Sequence, residues 1–180
     1  MHTSYTRIKD SLLRCCLLLF LISSSSWAWA EGGPSIEHPP YGEQKVVFEF
    51  FFDNPVKVGT ALYWLRSLFN TLEGEPYDIA PDFLSVKVVM HGTGVVTLAK
   101  KNYKKYTDLV ERMRYYSALG VDFRVCAQAL KQYGYKPKDM QDFVTVVPSA
   151  IPDLVHWQLQ GYALIIPQVF DKLFTVDELR

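Results

Sequence analysis

The chain has 180 residues, of which 49% are hydrophobic, 14% aromatic and 21% charged. This composition fits a globular protein with a substantial core and excludes general disorder, which requires low hydrophobicity and high net charge. The 19 basic and 19 acidic residues give a formal charge of zero. The balance disfavours a strongly basic nucleic-acid-binding protein, and we expect no nucleic-acid partner.

The first thirty residues have the pattern of an export signal. Three basic residues and one acid precede the apolar run CCLLLFLI at 15–22, and a serine stretch and the small-x-small sequence AWA at 28–30 follow. This order predicts a signal peptide over 1–30, cleaved after Ala30, and a periplasmic or secreted protein. The apolar run is too short for a membrane span, which needs about 20 residues. An uncleaved N-terminal anchor is the alternative.

Cleavage would leave one folded domain with a net charge of −2 and no membrane span. Cys126 would be its single cysteine, so no internal disulfide could form, and the thiol would be either reactive or part of an intermolecular bridge. Residues 31–44 contain three prolines and three glycines, which predicts a flexible leader. We expect the domain over 45–167 and a C-terminal tail over 168–180.

Apolar segments of two kinds alternate along this domain. Short runs rich in β-branched and aromatic residues predict strands, and apolar residues at three-to-four spacing predict helices. In chain order the pattern predicts strand 45–53, helix 55–73, strand 84–90, a short helix or irregular turn at 95–100, helix 102–119, strand 121–125, short helix 127–133, strand 143–147, helix 151–160 and strand 162–166.

Strands that alternate with helices indicate βαβ units and a mostly parallel sheet. Right-handed crossovers then place helices on both faces. The sequence therefore predicts an α/β three-layer sandwich around a sheet of about five strands. In its first strand, Phe50, Phe51 and Phe52 are expected to pack in the core, and an aromatic platform for a ligand is the less common alternative.

Two reactive side chains follow predicted strands, at the edge where ligands gather in open α/β sheets. Cys126 precedes a predicted helix, where unsatisfied N–H groups and the helix dipole favour the thiolate. Arg124 points to the same face of its strand. His91, followed by Gly92, could exchange a proton with a thiol, although a lone histidine there is more often structural. The alternative for Cys126 is a buried, inert side chain.

Sequence motifs for several other chemistries are absent. HGTG at 91–94 has neither a Gly-x-Gly-x-x-Gly pattern nor a P-loop Lys-Ser/Thr, so nucleotide binding is not indicated. No Gly-x-Ser-x-Gly elbow is present, and none of the four histidines forms a pair at metal-ligand spacing. We therefore expect no cofactor and no metal.

Three segments carry a resemblance when their order is considered together. GVDFRVCAQALKQYGY at 120–135 has a short strand, a cysteine and a helix that ends in glycine, and KVVMHGTGV at 87–95 has a strand followed by His-Gly. VTVVPSAIPDLVHWQLQGYALIIP at 144–167 has a strand, a Val-Pro-Ser turn, a helix and a final strand. This pattern resembles the DsrE/DsrF-like family, with its TusD and YchN types, over 45–167. The nearest match is the exported branch of the family.

The resemblance implies a small α/β sandwich around a five-stranded sheet, in subunits that form trimers or hexamers. In sulfur-relay members, the cysteine that Cys126 matches carries a persulfide and passes its sulfur to a partner cysteine. We therefore expect an exported sulfur carrier or sulfurtransferase, which meets a small sulfur compound or a thiol partner protein. His91, Gly92 and Arg124 are its candidate binding residues. The alternatives are a non-catalytic oligomeric binding module with a packed cysteine and a thiol-based redox sensor.

Overall fold

Five parallel strands form a single sheet in the computed structural model, which describes residues 33–180. The predicted signal peptide lies outside the described residues. The strands are β1 (Gln44–Phe52), β2 (Leu84–Gly92), β3 (Asp122–Cys126), β4 (Val144–Val147) and β5 (Ala163–Ile165). Their spatial order is β4-β3-β2-β1-β5, and every neighbouring pair is parallel. Each strand that the sequence predicts is present.

The described residues also contain four α-helices that alternate with the strands. They are α1 (Lys57–Glu73), α2 (Tyr103–Ala118), α3 (Ala127–Gln132) and α4 (Ala150–Leu159). A 3₁₀ turn over Thr93–Leu98 stands where a short helix or irregular turn is expected. The predicted α/β fold class is confirmed. No helix within 33–180 is long and apolar enough to cross a membrane.

One face of the sheet is uniformly apolar and supports α1 and α2. Phe48 and Phe50 of β1 pair with Val88 and Met90 of β2, and all four side chains are buried. Buried residues of α1 recur at helical spacing, so they form one stripe on the helix (Val58, Ala61, Leu62, Leu65, Phe69 and Leu72). Helix α2 joins this layer through Tyr116, whose ring lies 5.6 Å from that of Phe69 of α1.

The opposite face of the sheet carries charged side chains, and α4 is the one α-helix within residues 33–180 that covers it. Alternation along the strands places Glu49, Lys87, His91 and Arg124 on this face. Helix α4 contacts β1, β2, β3 and β5. Because one helix covers a face that bears several charges, those charges must find partners on the sheet or on α4.

The ends of the domain have little regular structure. The compact unit begins at His38, and Tyr41 contacts Tyr77 with ring centroids 4.9 Å apart. The C-terminal tail contains one 3₁₀ turn, Asp177–Leu179, among its described residues.

Candidate functional site

The candidate site lies where the connections of two neighbouring strands diverge. Strands β3 and β4 are adjacent and parallel. Right-handed crossovers place α3, which follows β3, on the face that carries α1, whereas α4 follows β4 and turns back over the opposite face. In open α/β sheets, such a switch point opens a crevice outside the carboxyl ends of the strands.

A cavity of about 330 Å³ occupies this position. It is bounded by the ends of β1, β2 and β3, by α3 and by the start of α4. Its lining residues are Phe51, His91, Gly92, Cys126, Gln128, Ala129, Gln132, Ser149, Ala150 and Ile151. Cys126, His91 and Gly92, which the sequence singles out as candidates, thus line one cavity.

Cys126 is the last residue of β3 and directly precedes α3. Its side chain is buried, with 5% of the residue exposed, and no cysteine within residues 33–180 forms a disulfide with it. Cys126 therefore belongs both to the core of the domain and to the lining of the cavity.

His91 is fixed by two neighbours on β1. Its Nε2 lies 2.8 Å from Oε1 of Glu49, and the two side chains are 15% and 17% exposed. Its ring stacks on that of Phe51, with a centroid distance of 4.5 Å and an interplanar angle of 12°. The sequence pattern places His91 after the second strand, but β2 continues through Gly92. This extra length brings His91 into register with Phe51.

Phe51 does not share the role of its two neighbours. Phe50 and Phe52 are buried, as expected, but Phe51 is 62% exposed and lines the cavity. The expectation that all three rings pack in the core is therefore wrong for Phe51, because alternation along β1 turns it to the opposite face.

Gly92 permits the close contact between the two strands. Its φ is +63°, and a Cβ atom built there would lie 2.7 Å from two atoms of the Phe51 ring. A side chain at this position would therefore meet the ring that stacks on His91.

Arg124 lies on the predicted face of β3, but its guanidinium is engaged away from the cavity. Its Nε and Nη2 donate to Asp153 of α4 at 2.7 and 2.9 Å, and Nη1 donates to Asp122 at 2.7 Å. The hydrogen bond to Asp153 is the main reason why the pKa of Arg124 is raised. Arg124 does not line the cavity, so the structure does not bring it together with Cys126 as a binding residue. It ties α4 to the sheet.

The first turns of α3 and α4 both meet the cavity. The residues that precede them, Cys126 and Ser149, make no side-chain capping hydrogen bond. Uncapped N–H groups at a helix start favour a nearby anion. Helix α3 has only six residues, so its dipole is small. An anion at its start would therefore be stabilised mainly by hydrogen bonds from the uncapped N–H groups.

Several residues that line the cavity, and Glu49, which contacts the lining residue His91, escape prediction from the sequence. Glu49 carries a usable signal, since it is the one acid in the otherwise apolar run VVFEFFF at 46–52, and an unpaired buried charge is costly. Gln128, Gln132 and Ser149 carry no comparable signal. No group of three or more His, Cys, Asp or Glu side chains in the described part of the chain could hold a metal ion.

Comparison with known proteins identifies the family. The sequence profile of the DsrE/DsrF-like family matches residues 39–167. The chain belongs to the DsrE/DsrF-like family. Its fold is thus of the sulfur-relay type. No functionally curated protein matches the chain.

Solved structures of the same fold include a protein of unknown function, MTH1491, from Methanobacterium thermoautotrophicum. It is 26% identical over 69% of this chain and 99% of its own, with a TM-score of 0.55. The E. coli ychN protein is 13% identical over 68% of this chain and 98% of its own, with a TM-score of 0.48. BT1422, a protein of unknown function from Bacteroides thetaiotaomicron, is 15% identical over 69% of this chain and 95% of its own, with a TM-score of 0.47.

Proposed function

We propose that this DsrE/DsrF-like protein handles sulfane sulfur and carries it as a persulfide on Cys126. The observation that supports the proposal best is that Cys126 lines a cavity of about 330 Å³ together with His91 at the switch point of the sheet. A thiolate there can attack a sulfane sulfur and later yield it to another thiolate. Uncapped N–H groups at the starts of α3 and α4 favour the anionic sulfur in both steps.

Mass spectrometry tests this proposal directly. The purified protein is incubated with inorganic polysulfide, thiosulfate or a low-molecular-mass hydropersulfide, and its peptides are then mapped. We expect a mass increase of one sulfur atom on the peptide that contains Cys126, reversed by a thiol reductant and absent in C126S. If no donor produces this adduct, the protein is not a persulfide carrier.

We also propose that the protein is exported and loses its signal peptide after Ala30. The support is the basic, apolar and small-residue order of 1–30 in the sequence. N-terminal sequencing of the protein recovered from the periplasm or the medium should begin at Glu31. A retained N-terminal segment would indicate the membrane anchor instead.

A second candidate function is a non-catalytic oligomeric binding module. It is favoured by the low exposure of Cys126 and by a stripe of exposed apolar residues on α4, namely Ile151, Val155 and Leu159. Members of the family are often oligomeric. We propose a trimer or hexamer, so the molar mass by light scattering should be three or six times that of the subunit. A Cys126 thiol that resists small alkylating reagents in this oligomer would favour the module over the carrier.

A further inference from the structure

We propose that Glu49 is a positioning residue that orients His91 as the proton acceptor for Cys126. This role rests on the proposed function, because it concerns how the Cys126 thiol is activated. Glu49 and His91 lie on adjacent strands and meet at 2.8 Å. Phe51 stacks on the His91 ring and restricts its plane. A hydrogen bond and a stack together leave the imidazole little freedom to rotate.

The contact with Glu49 decides which nitrogen of His91 carries the proton. An ionised carboxylate can only accept hydrogen bonds, so Nε2 of the neutral imidazole must be the donor. Nδ1 then carries the lone pair. Nδ1 makes no hydrogen bond to any side chain or backbone group that the structure describes. It is the free basic atom of a ring that lines the cavity.

The register of the sheet places Cys126 beside this ring. Met90 of β2 pairs with Val125 of β3, so His91 and Cys126 are the next residues along the two strands. Neighbouring strands lie about 4.8 Å apart, and both side chains point to the same face. Phe51, His91 and Cys126 therefore form one row across β1, β2 and β3, and Glu49 reaches His91 diagonally from two residues earlier on β1.

This arrangement supplies both proton transfers of sulfur uptake from a hydropersulfide, RS–SH. The Cys126 thiol gives its proton to Nδ1 of His91, and the thiolate attacks the terminal sulfur of the donor. A new S–S bond forms on Cys126 while the RS–S bond breaks, and the thiolate RS⁻ leaves with the electron pair. RS⁻ then takes the proton from His91. The products are a Cys126 persulfide and RSH, and no external oxidant or reductant is needed.

The electrostatic surroundings of His91 leave Glu49 as its main charged neighbour. His91 and Cys126 are the titratable side chains among the residues lining the cavity, and α3 and α4 contribute no charged side chain to that lining. On the same face of the sheet, Arg124 is paired with Asp153 and Asp122. Removal of the Glu49 charge should therefore act on the imidazolium directly.

The variant E49Q tests the positioning role, because it keeps the shape of the side chain and removes its charge. The readout is the rate at which a small neutral reagent alkylates Cys126 in the native protein, measured across pH. Loss of the charge-assisted part of the hydrogen bond should slow the reaction about tenfold near neutral pH and move the profile to more alkaline values. H91Q should have the same effect, and E49Q/H91Q no larger one.

The variant E43Q is the matched control, because Glu43 is exposed and lies one residue before β1. It should leave the pH profile unchanged. A second measurement avoids mutation: nitrogen NMR of the wild-type imidazole should show Nε2 protonated and Nδ1 unprotonated in neutral His91. A neutral ring with its proton on Nδ1 would overturn the proposal, and so would wild-type alkylation profiles in both E49Q and H91Q.

The outcomes separate the positioning role from the sulfur chemistry. Absence of a sulfur adduct on the wild-type protein would refute the persulfide function, yet the alkylation profile would still report on the His91–Glu49 pair. An adduct that forms at the wild-type rate in E49Q and H91Q would keep the carrier function and remove the role of Glu49.

Discussion

The substitution Gly92→Ala tests whether the close contact between β1 and β2 holds the candidate site together. Two costs follow from the structure. Gly92 has φ +63° and ψ −148°, a conformation almost restricted to glycine, which costs a residue with a Cβ about 1 to 3 kcal/mol. The new Cβ would also lie 2.7 Å from the Phe51 ring. That ring is 62% exposed, so it can swing aside and lose its stack on His91.

The Phe51 ring can either stay in place or move away from the added methyl group, and the response that costs less free energy determines how much stability G92A loses. Holding the ring in place against the methyl group costs about 1 to 3 kcal/mol, as overpacking does. Releasing the ring costs the stack, about 1 kcal/mol. We therefore expect Phe51 to rotate away and G92A to lose about 2 to 4 kcal/mol of unfolding free energy in total.

Gly134→Ala is the matched control for this prediction. Gly134 also has a positive φ, +74°, but within residues 33–180 no atom beyond its two chain neighbours lies within 4 Å of the Cβ position. G134A should lose only the backbone cost, about 1 to 2 kcal/mol. Urea unfolding with unchanged m-values gives both losses. In an F51A background, G92A should cost about 1 kcal/mol less than in the wild-type background, whereas the cost of G134A should not change. An unchanged cost of G92A in F51A would refute the contact between Gly92 and Phe51 as a source of stability.

Two further predictions concern ion pairs outside the cavity. R124M leaves Asp153, whose side chain is 10% exposed, without its guanidinium partner. The variant should lower the unfolding free energy measured with denaturant by about 2 to 4 kcal/mol. A loss within experimental error would show that α4 does not depend on this pair. The hydrogen bond from Arg114 lowers the pKa of Asp142 below its usual 3.8. The pair therefore stabilises the fold above that pH, and this stabilisation is lost as the pH falls through the lower pKa of the folded state. D142N should flatten the acid limb of the profile of unfolding free energy against pH, and an unchanged limb would contradict this.

The strands and the position of Cys126 could be predicted from the sequence because their signals are local. A run such as KVVFEFFFD at 45–53 predicts a strand wherever it lies in a sheet, and a cysteine between a strand and a helix reaches the carboxyl edge in any parallel arrangement. The position of β5 beside β1 could not be predicted in this way. It depends on a crossover that passes over three strands, and no residue pattern specifies which edge receives it.

Two charged residues, Arg124 and Glu49, show what local sequence patterns cannot predict. Alternation along β3 predicts the face on which Arg124 lies, but not that Asp153, 29 positions later, takes its guanidinium. Alternation along β1 likewise places Glu49 on the face opposite the buried phenylalanines, yet the contact with His91 needs the register of β1 against β2. Sequence patterns give orientation, whereas pairing across strands requires the assembled sheet.

The two faces of the sheet are covered in different ways, and this difference explains why the cavity lies beside Cys126. The face under α1 and α2 is closed by apolar packing, so it has no need of charges. The face under α4 is covered by one helix, which Arg124 and Asp153 anchor to the sheet. Because α4 begins only at Ala150 and α3 departs on the other side, the carboxyl ends of β2 and β3 are left partly uncovered. His91 and Cys126 lie at that gap, so the topology that leaves the sheet partly covered also places the buried Cys126 in the wall of the cavity.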